Sequence, residues 1–313
     1  MDTVITTSVV EAAENIKKGG IVAFPTETVY GLGADIFNEK AIAKVFWAKG
    51  RPADNPLIAH IGNLYQIEVL TAVIDSRTNA FIEKFFPGPL TIVLEKSESV
   101  PLIATAGLET IGIRMPKHDL ALGFLSSCEH PLVAPSANLS GKPSPTDWKA
   151  VYADLNGKID CILKGQTTEI GLESTVLDCT GEIPLVLRKG AVSIEDLQEL
   201  VPETEIYSSV DPKTPKSPGL KHKHYSPTAK VVIVTDTDDI DLSDEKCAFI
   251  GLNKPKQDFT VVRILDTSEE YARNLYSFFR YCDEKKIATI YCQTVEETGI
   301  GAALIDRLSR AAN

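Results

Sequence analysis

The chain has 313 residues with 43 Asp and Glu against 32 Lys and Arg, a formal net charge of −11. At 43% hydrophobic and 24% charged it is too apolar for a disordered polypeptide and long enough to bury one large or two medium cores. The acidic excess excludes a protein that simply coats nucleic acid, because neutralising phosphates needs a basic surface; a local basic pocket stays compatible with it.

The first residues read as a strand leading into a helix, Ala12 to Lys18, stopped by Gly19-Gly20. They lack the apolar run and cleavage site of a signal peptide. Ile21 to Pro25 reads as a short buried strand, followed by a Gly-rich turn, Gly31-Leu32-Gly33. Ala41, Ile42, Val45 and Phe46 recur at helical spacing and predict a helix over 40–48. Then come a strand at 56–61, a helix at 79–85 and, after Pro87-Gly88-Pro89, a strand at 90–94. Further strands are predicted at 111–115, 132–134, 161–164, 174–179 and 184–188. Beyond residue 230 the pattern is more regular: strands at 231–234 and 248–252, a helix at 268–285, a strand at 288–292 and a helix at 301–312. The fold class is α/β, with a large mixed sheet followed by a small three-layer α/β unit.

Charge divides the chain the same way. Residues 1–205 carry a balance of −10 and residues 230–313 a balance of −4, whereas 206–229 carry +3 with Pro212, Pro215, Pro218 and Pro227. That middle stretch reads as an extended linker, either an inert spacer or a basic lid. No segment approaches 18 apolar residues, so no transmembrane helix is expected. The six cysteines form no CxxC pair and read as buried thiols of a reducing cytosol, hence a cytoplasmic protein. No His/Cys/carboxylate spacing points to a metal site.

Gly31-Leu32-Gly33 and Gly299-Ile300-Gly301 are only fragments of a dinucleotide fingerprint, and there is neither a Walker loop nor a GxSxG elbow. Three loops carry more. Pro25 to Gly33 places two hydroxyls around a carboxylate at a strand end. Lys49 and Arg51, in an extended loop held by Pro52 and Pro56, point the same way and suit an anion, or are simply solvated. Pro135 to Thr146 is a hydroxyl-rich loop following a strand, where α/β proteins place ligand contacts. Arg114 and Arg188 lie in apolar strands and need a partner, an internal carboxylate or a bound anion.

In order, PTETVYGLG, KGRPADNPL, APSANLSGKPSPT, ESTV, LRKG and SPGLKHKHYSP resemble the threonylcarbamoyl-AMP synthases, the two-domain Sua5 type of the Sua5/YrdC/YciO family. The resemblance runs from Thr7 to about Asn313. It implies a twisted YrdC-like domain around a basic concavity at 1–205, a lid at 206–229, and a small Rossmann-like Sua5-type domain at 230–313. It implies a nucleotidyltransferase that condenses L-threonine, bicarbonate and ATP, with Mg²⁺, to threonylcarbamoyl-adenylate and pyrophosphate. The product would pass to the tRNA threonylcarbamoyl-transferase machinery for the N6-threonylcarbamoyl modification of adenosine 37. Lys49 and Arg51 fall on the catalytic KxR pair. Arg51, Asn55, Thr110, Ser136, Asn138, Ser144 and Arg188, with Lys49 and Tyr225 of the lid, fall on ATP positions. Thr28, His60, Arg114, Ala134 and Ser174 fall on threonine positions, Arg114 facing the carboxylate. Alanine at 134, where some relatives carry threonine, removes one such contact. Alternative readings are an RNA-binding module and a nucleotide-binding regulator of the same fold without turnover.

Overall fold

The computed structural model describes residues 2–71, 73–207, 226–236, 240, 242 and 246–312. The expected lid residue Tyr225, with 208–224 of the linker, lies outside the described residues.

The first part of the chain runs β1 (Val4–Thr6), α1 (Val9–Lys17), β2 (Val22–Phe24), β3 (Gly31–Asp35), α2 (Glu39–Lys49) and β4 (Ile58–His60). It continues through α3 (Ser76–Phe85), β5 (Leu90–Glu95), α4 (Leu102–Thr105), β6 (Thr110–Arg114), α5 (Asp119–Ser127) and β7 (Leu132–Val133). Then follow α6 (Trp148–Leu155), β8 (Cys161–Leu163), β9 (Thr175–Asp178), β10 (Leu185–Arg188), α7 (Ile194–Gln198) and β11 (Glu205–Ile206). All eleven strands join one mixed sheet in the order β1-β8-β2-β3-β7-β4-β6-β5-β9-β10-β11. Parallel pairs such as β4 with β6 alternate with antiparallel ones such as β5 with β6. The main core fills one face with Ile21, Leu32, Val45, Ile92, Ile113 and Leu177, and a second cluster around Phe24 and Phe124 fills the other.

Local chemistry sets the elements that matter for the site. Asn38 caps α2 by accepting from the Ala41 amide, and Gly50 ends it in the left-handed conformation at φ 60°. That reversal delivers Arg51 from the helix end into the following loop. β3 replaces the predicted Gly-rich turn. Glycine is disfavoured in strands, but a Cβ at Gly31 would meet the Phe24 ring at 3.2 Å and Ala134 at 3.4 Å. The close approach of three strands therefore selects glycine here.

The second part comprises β12 (Lys230–Val234), β13 (Cys247–Gly251), β14 (Val261–Ile264), α8 (Ser268–Glu284), β15 (Thr289–Gln293) and α9 (Ile300–Ala312), with a parallel sheet ordered β12-β15-β13-β14. Alternation sorts its strands: Val231, Ala248, Ile250, Ile290 and Cys292 pack with both helices, while Phe249 and Tyr291 face the other way. Among the described residues that second face is covered by Ile240, Leu242 and Phe259. The described helices thus share one face.

Val29 and Leu172 of the first part are buried in the helix-facing cluster of the second. Gly171 packs closer still. Its φ is +82°, and a Cβ there would lie 2.5 Å from the Arg273 Cα of α8. Gly171→Ala is expected to cost about 2 kcal/mol or more, from left-handed strain plus the clash; an unchanged urea midpoint would contradict this close docking. Among the described residues no helix is long and apolar enough to cross a membrane. All six cysteines are free, and five are buried.

Candidate active site

Strand ends and loops of the large sheet line an open concavity. Arg51, Arg114, Lys142 and Arg188 line it, and Glu173 is the one acidic residue among the described residues that do. A net-negative chain has gathered cations from positions up to 137 residues apart around one opening.

Arg51 donates from Nη2 to the carbonyls of Asn55 and Pro56, both at 3.3 Å. The Asn55 amide is buried with no hydrogen-bonding partner for its oxygen or its nitrogen among the described residues. Such an amide is costly unless something else satisfies it. Arg188 follows a register shift in β10 and donates from Nε to the Ser174 carbonyl at 3.0 Å and from Nη2 to Ser174 Oγ at 3.1 Å. A bulge of this kind re-aims a side chain. Ser136 Oγ donates to Asn138 Oδ1 at 2.5 Å, fixing the polar loop.

Arg114 resolves its two readings by keeping both open to chemistry. Its Nη2 lies 2.7 Å from Glu27 Oε2, an ion pair with both side chains at most 5% exposed. Neither of those two atoms makes a hydrogen bond among the described residues. Charge holds the pair, and Nε donates to the Gly88 carbonyl at 3.3 Å, which fixes the guanidinium on a wall of the concavity.

His60 is buried edge-on against Phe24. Burial, then the neighbouring Arg114, push its pKa down to about 3, so the ring is neutral at pH 7. Nδ1 lies 3.1 Å from the Ile58 carbonyl, which can only accept, so Nδ1 carries the proton and Nε2 is the acceptor. Between pH 6.5 and 3 the unfolded ring binds more protons than the folded one. Its contribution to stability is therefore complete above pH 6.5 and is lost as pH falls toward 3. Urea midpoints are expected to decline from pH 6.5 to 4.5 in the wild type and to flatten over that window in His60→Gln. Parallel slopes would refute a neutral His60.

Four expected contacts sit elsewhere. Lys49 does not line the concavity. It is buried, and Nζ donates to the carbonyls of Ser136 and Asn138, the latter at 2.6 Å. Burial first, then Arg51, push its pKa well down. Lys49 is a brace behind the 136–138 loop, and Arg51 is the member of the KxR pair that reaches the opening. Thr28 is likewise fully buried, donating its hydroxyl to Thr26 Oγ1 at 2.8 Å because Thr26 donates its own to the Val29 carbonyl. Thr26, not Thr28, lines the concavity. Thr110 lines an adjoining recess with Leu108, Val93 and Val176 that shares Pro56, Leu57 and Ile58 with the main concavity. Asn55 belongs to neither lining, whereas His60, Ala134, Ser136, Asn138, Ser144 and Ser174 all line the main one.

Thr26, Lys142 and Glu173 line the concavity in addition to the expected residues. Lys142 had a signal, a cation inside the polar 135–146 loop; it pairs with Asp154 at 3.0 Å. Glu173 stands in the ESTV motif, but its partners are 29, 103 and 134 residues away.

Fold and site define a two-domain α/β protein with a cation-lined pocket for anionic ligands in its larger domain. The sequence family Sua5_yciO_yrdC, described as telomere recombination, matches residues 14–190. The threonylcarbamoyl-AMP synthase C-terminal domain matches residues 192–313. A threonylcarbamoyl-AMP synthase of Pyrococcus abyssi is 44% identical over 96% of this chain and 92% of its own. One of Bacillus subtilis is 38% identical over 97% and 92%. The crystal structure of P. abyssi Sua5 complexed with L-threonine superposes with a TM-score of 0.90, at 41% identity over 99% of this chain and 97% of that one. The chain belongs to the Sua5/YrdC/YciO family, in its two-domain threonylcarbamoyl-AMP synthase branch.

Proposed function

We propose that the concavity binds L-threonine, bicarbonate and ATP and forms L-threonylcarbamoyladenylate with release of pyrophosphate. The observation that carries this reading is the convergence of Arg51, Arg114, Lys142 and Arg188 on one pocket beside a neutral histidine. Threonine's amine and bicarbonate combine to an N-carboxylate with loss of water. A carboxylate oxygen of that species then attacks the α-phosphorus of ATP, and the bond to the β,γ-diphosphate breaks. Two anions must be brought together and a labile carbamate kept from water, which needs positioning and fixed positive charge rather than a protein nucleophile.

Arg51 and Arg188 offset charge on the phosphates, and Arg114 takes the threonine carboxylate with its forked donors. His60 Nε2 accepts from the amine or hydroxyl. Lys49 keeps the Ser136–Asn138 loop in place. The apolar recess beside Thr110 suits the adenine ring. Mg²⁺ would enter with ATP and offset charge on its phosphates. The adenylate is an activated acyl donor, so its consumer is a transferase acting on an amine, here the tRNA threonylcarbamoyl-transferase machinery in the cytoplasm.

Pyrophosphate release with Mg·ATP, omitting threonine and bicarbonate in turn, tests the reaction. Release that requires both supports it. Release with neither points to a plain ATP hydrolase, and ATP binding without release to a nucleotide-binding regulator.

A further inference from the structure

Glu173 links the two domains. Its Oε1 accepts from Ser144 Oγ at 2.6 Å, inside the concavity. Its Oε2 accepts from the Tyr276 hydroxyl of α8 at 3.0 Å and from Arg307 Nε of α9 at 2.9 Å. Arg307 is fully buried, and its Nη2 donates at 3.0 Å to the carbonyl of Lys189, the residue after Arg188. Nη1 pairs with Asp306. One guanidinium of the second domain therefore grips both segments that bring Glu173 and Arg188 to the pocket.

Docking alone does not explain it. Val29, Leu172 and the Gly171 approach already join the domains through apolar and backbone contact. A buried ion pair commonly gives no more stability than apolar side chains of similar volume. We infer that the second domain is part of the nucleotide site, with Arg307 and Tyr276 as positioning residues that hold Glu173, and through it Ser144 and the Arg188 segment, in the geometry that receives ATP. This rests on the reading of the concavity as an ATP site. Burial pushes the Glu173 carboxyl up, but Arg307 and Arg188 outweigh it and hold the group below its ordinary value. Glu173 is thus a fixed acceptor, so the Ser144 hydroxyl proton points at it and the Ser144 lone pairs are left for a donor.

The test uses the full chain with Arg307→Met, Tyr276→Phe, Ser144→Ala and the double variant Arg307→Met/Ser144→Ala. ATP affinity is read by calorimetric titration, and the Michaelis constants of ATP and threonine by pyrophosphate release. Arg307→Met is expected to raise the ATP constant about tenfold while the threonine constant stays within about twofold. Tyr276→Phe moves the same way by about threefold, and Arg307→Met adds clearly less than its full factor once Ser144 is alanine, because the route through Glu173 is already lost and only the Lys189 contact remains. Glu297→Gln, at a peripheral contact with Lys189, leaves both constants unchanged. Unaltered ATP constants in the folded variants overturn the inference. So do equal losses for both substrates, or effects of Arg307→Met and Ser144→Ala that simply multiply. Should Arg307→Met fail to fold, Tyr276→Phe alone and with Ser144→Ala decides by the same criteria. Wild-type protein that binds ATP without releasing pyrophosphate would defeat the proposed reaction, while the titrations still decide the role of Arg307. Wild-type protein that binds no ATP defeats both.

Discussion

Arg51→Ala is expected to lower pyrophosphate release about 100-fold or more, as the loss of a single preorganised donor to developing charge does elsewhere. Arg51 is set by three features: the left-handed Gly50 that ends α2, and the two carbonyls of Asn55 and Pro56 that its Nη2 meets. Those contacts hold the guanidinium before any ligand arrives, so little reorganisation is needed when the β,γ-diphosphate departs. Arg51→Lys keeps the charge but cannot donate to both carbonyls and a phosphate in one plane, so it should recover only a small part of the loss. Because Arg51 is not a core residue, both variants should melt close to the wild type. The measurement is steady-state pyrophosphate release at saturating threonine and bicarbonate. Turnover near the wild-type rate in a folded Arg51→Ala chain would remove Arg51 from the mechanism.

What could be read beforehand follows from the range of the forces involved. Strands such as β5 and β9 and helices such as α8 announce themselves through local apolar patterning, and their bounds agree within three residues. β3 was hidden because its glycines answer to Phe24 and Ala134, which no local rule sees. α5 carries the buried spacing Ala121, Phe124, Leu125, Cys128, but it is short, and Leu120 and Leu122 beside that stripe blur the polar face that marks a surface helix. α6 was masked by the turn-forming residues before it, although Asp147 caps it by accepting from the Ala150 amide. At the site, motif order located the right loops, but not which side chain of each loop faces inward. Between Thr26 and Thr28 that choice rests on one hydroxyl donating to the Val29 carbonyl. Between Lys49 and Arg51 it rests on which cation the 136–138 carbonyls capture. The Glu173–Arg307 contact spans 134 residues and joins a motif to a helix that carries none.

The Glu27–Arg114 pair separates stability from catalysis most sharply. Both side chains are at most 5% exposed, so Glu27→Ala leaves an uncompensated buried cation and is expected to cost about 3–5 kcal/mol. Threonine should then restore more stability to the Glu27→Ala chain than it adds to the wild type, because the ligand's carboxylate supplies the missing anion. Replacing both residues, Glu27→Leu with Arg114→Met, removes the charge and the need for it together. The backbone N–H of Lys117, which donates to Glu27 Oε1 at 3.1 Å, loses its acceptor, so the double variant should still fall short of the wild type, by about 1–3 kcal/mol. It should nevertheless be more stable than Glu27→Ala while losing threonine-dependent pyrophosphate release almost entirely, with ATP affinity retained. Thermal melts with and without threonine, beside the release assay, read all three quantities. Equal stabilisation by threonine in the wild type and Glu27→Ala, or activity surviving in the double variant, would place the threonine carboxylate somewhere other than Arg114.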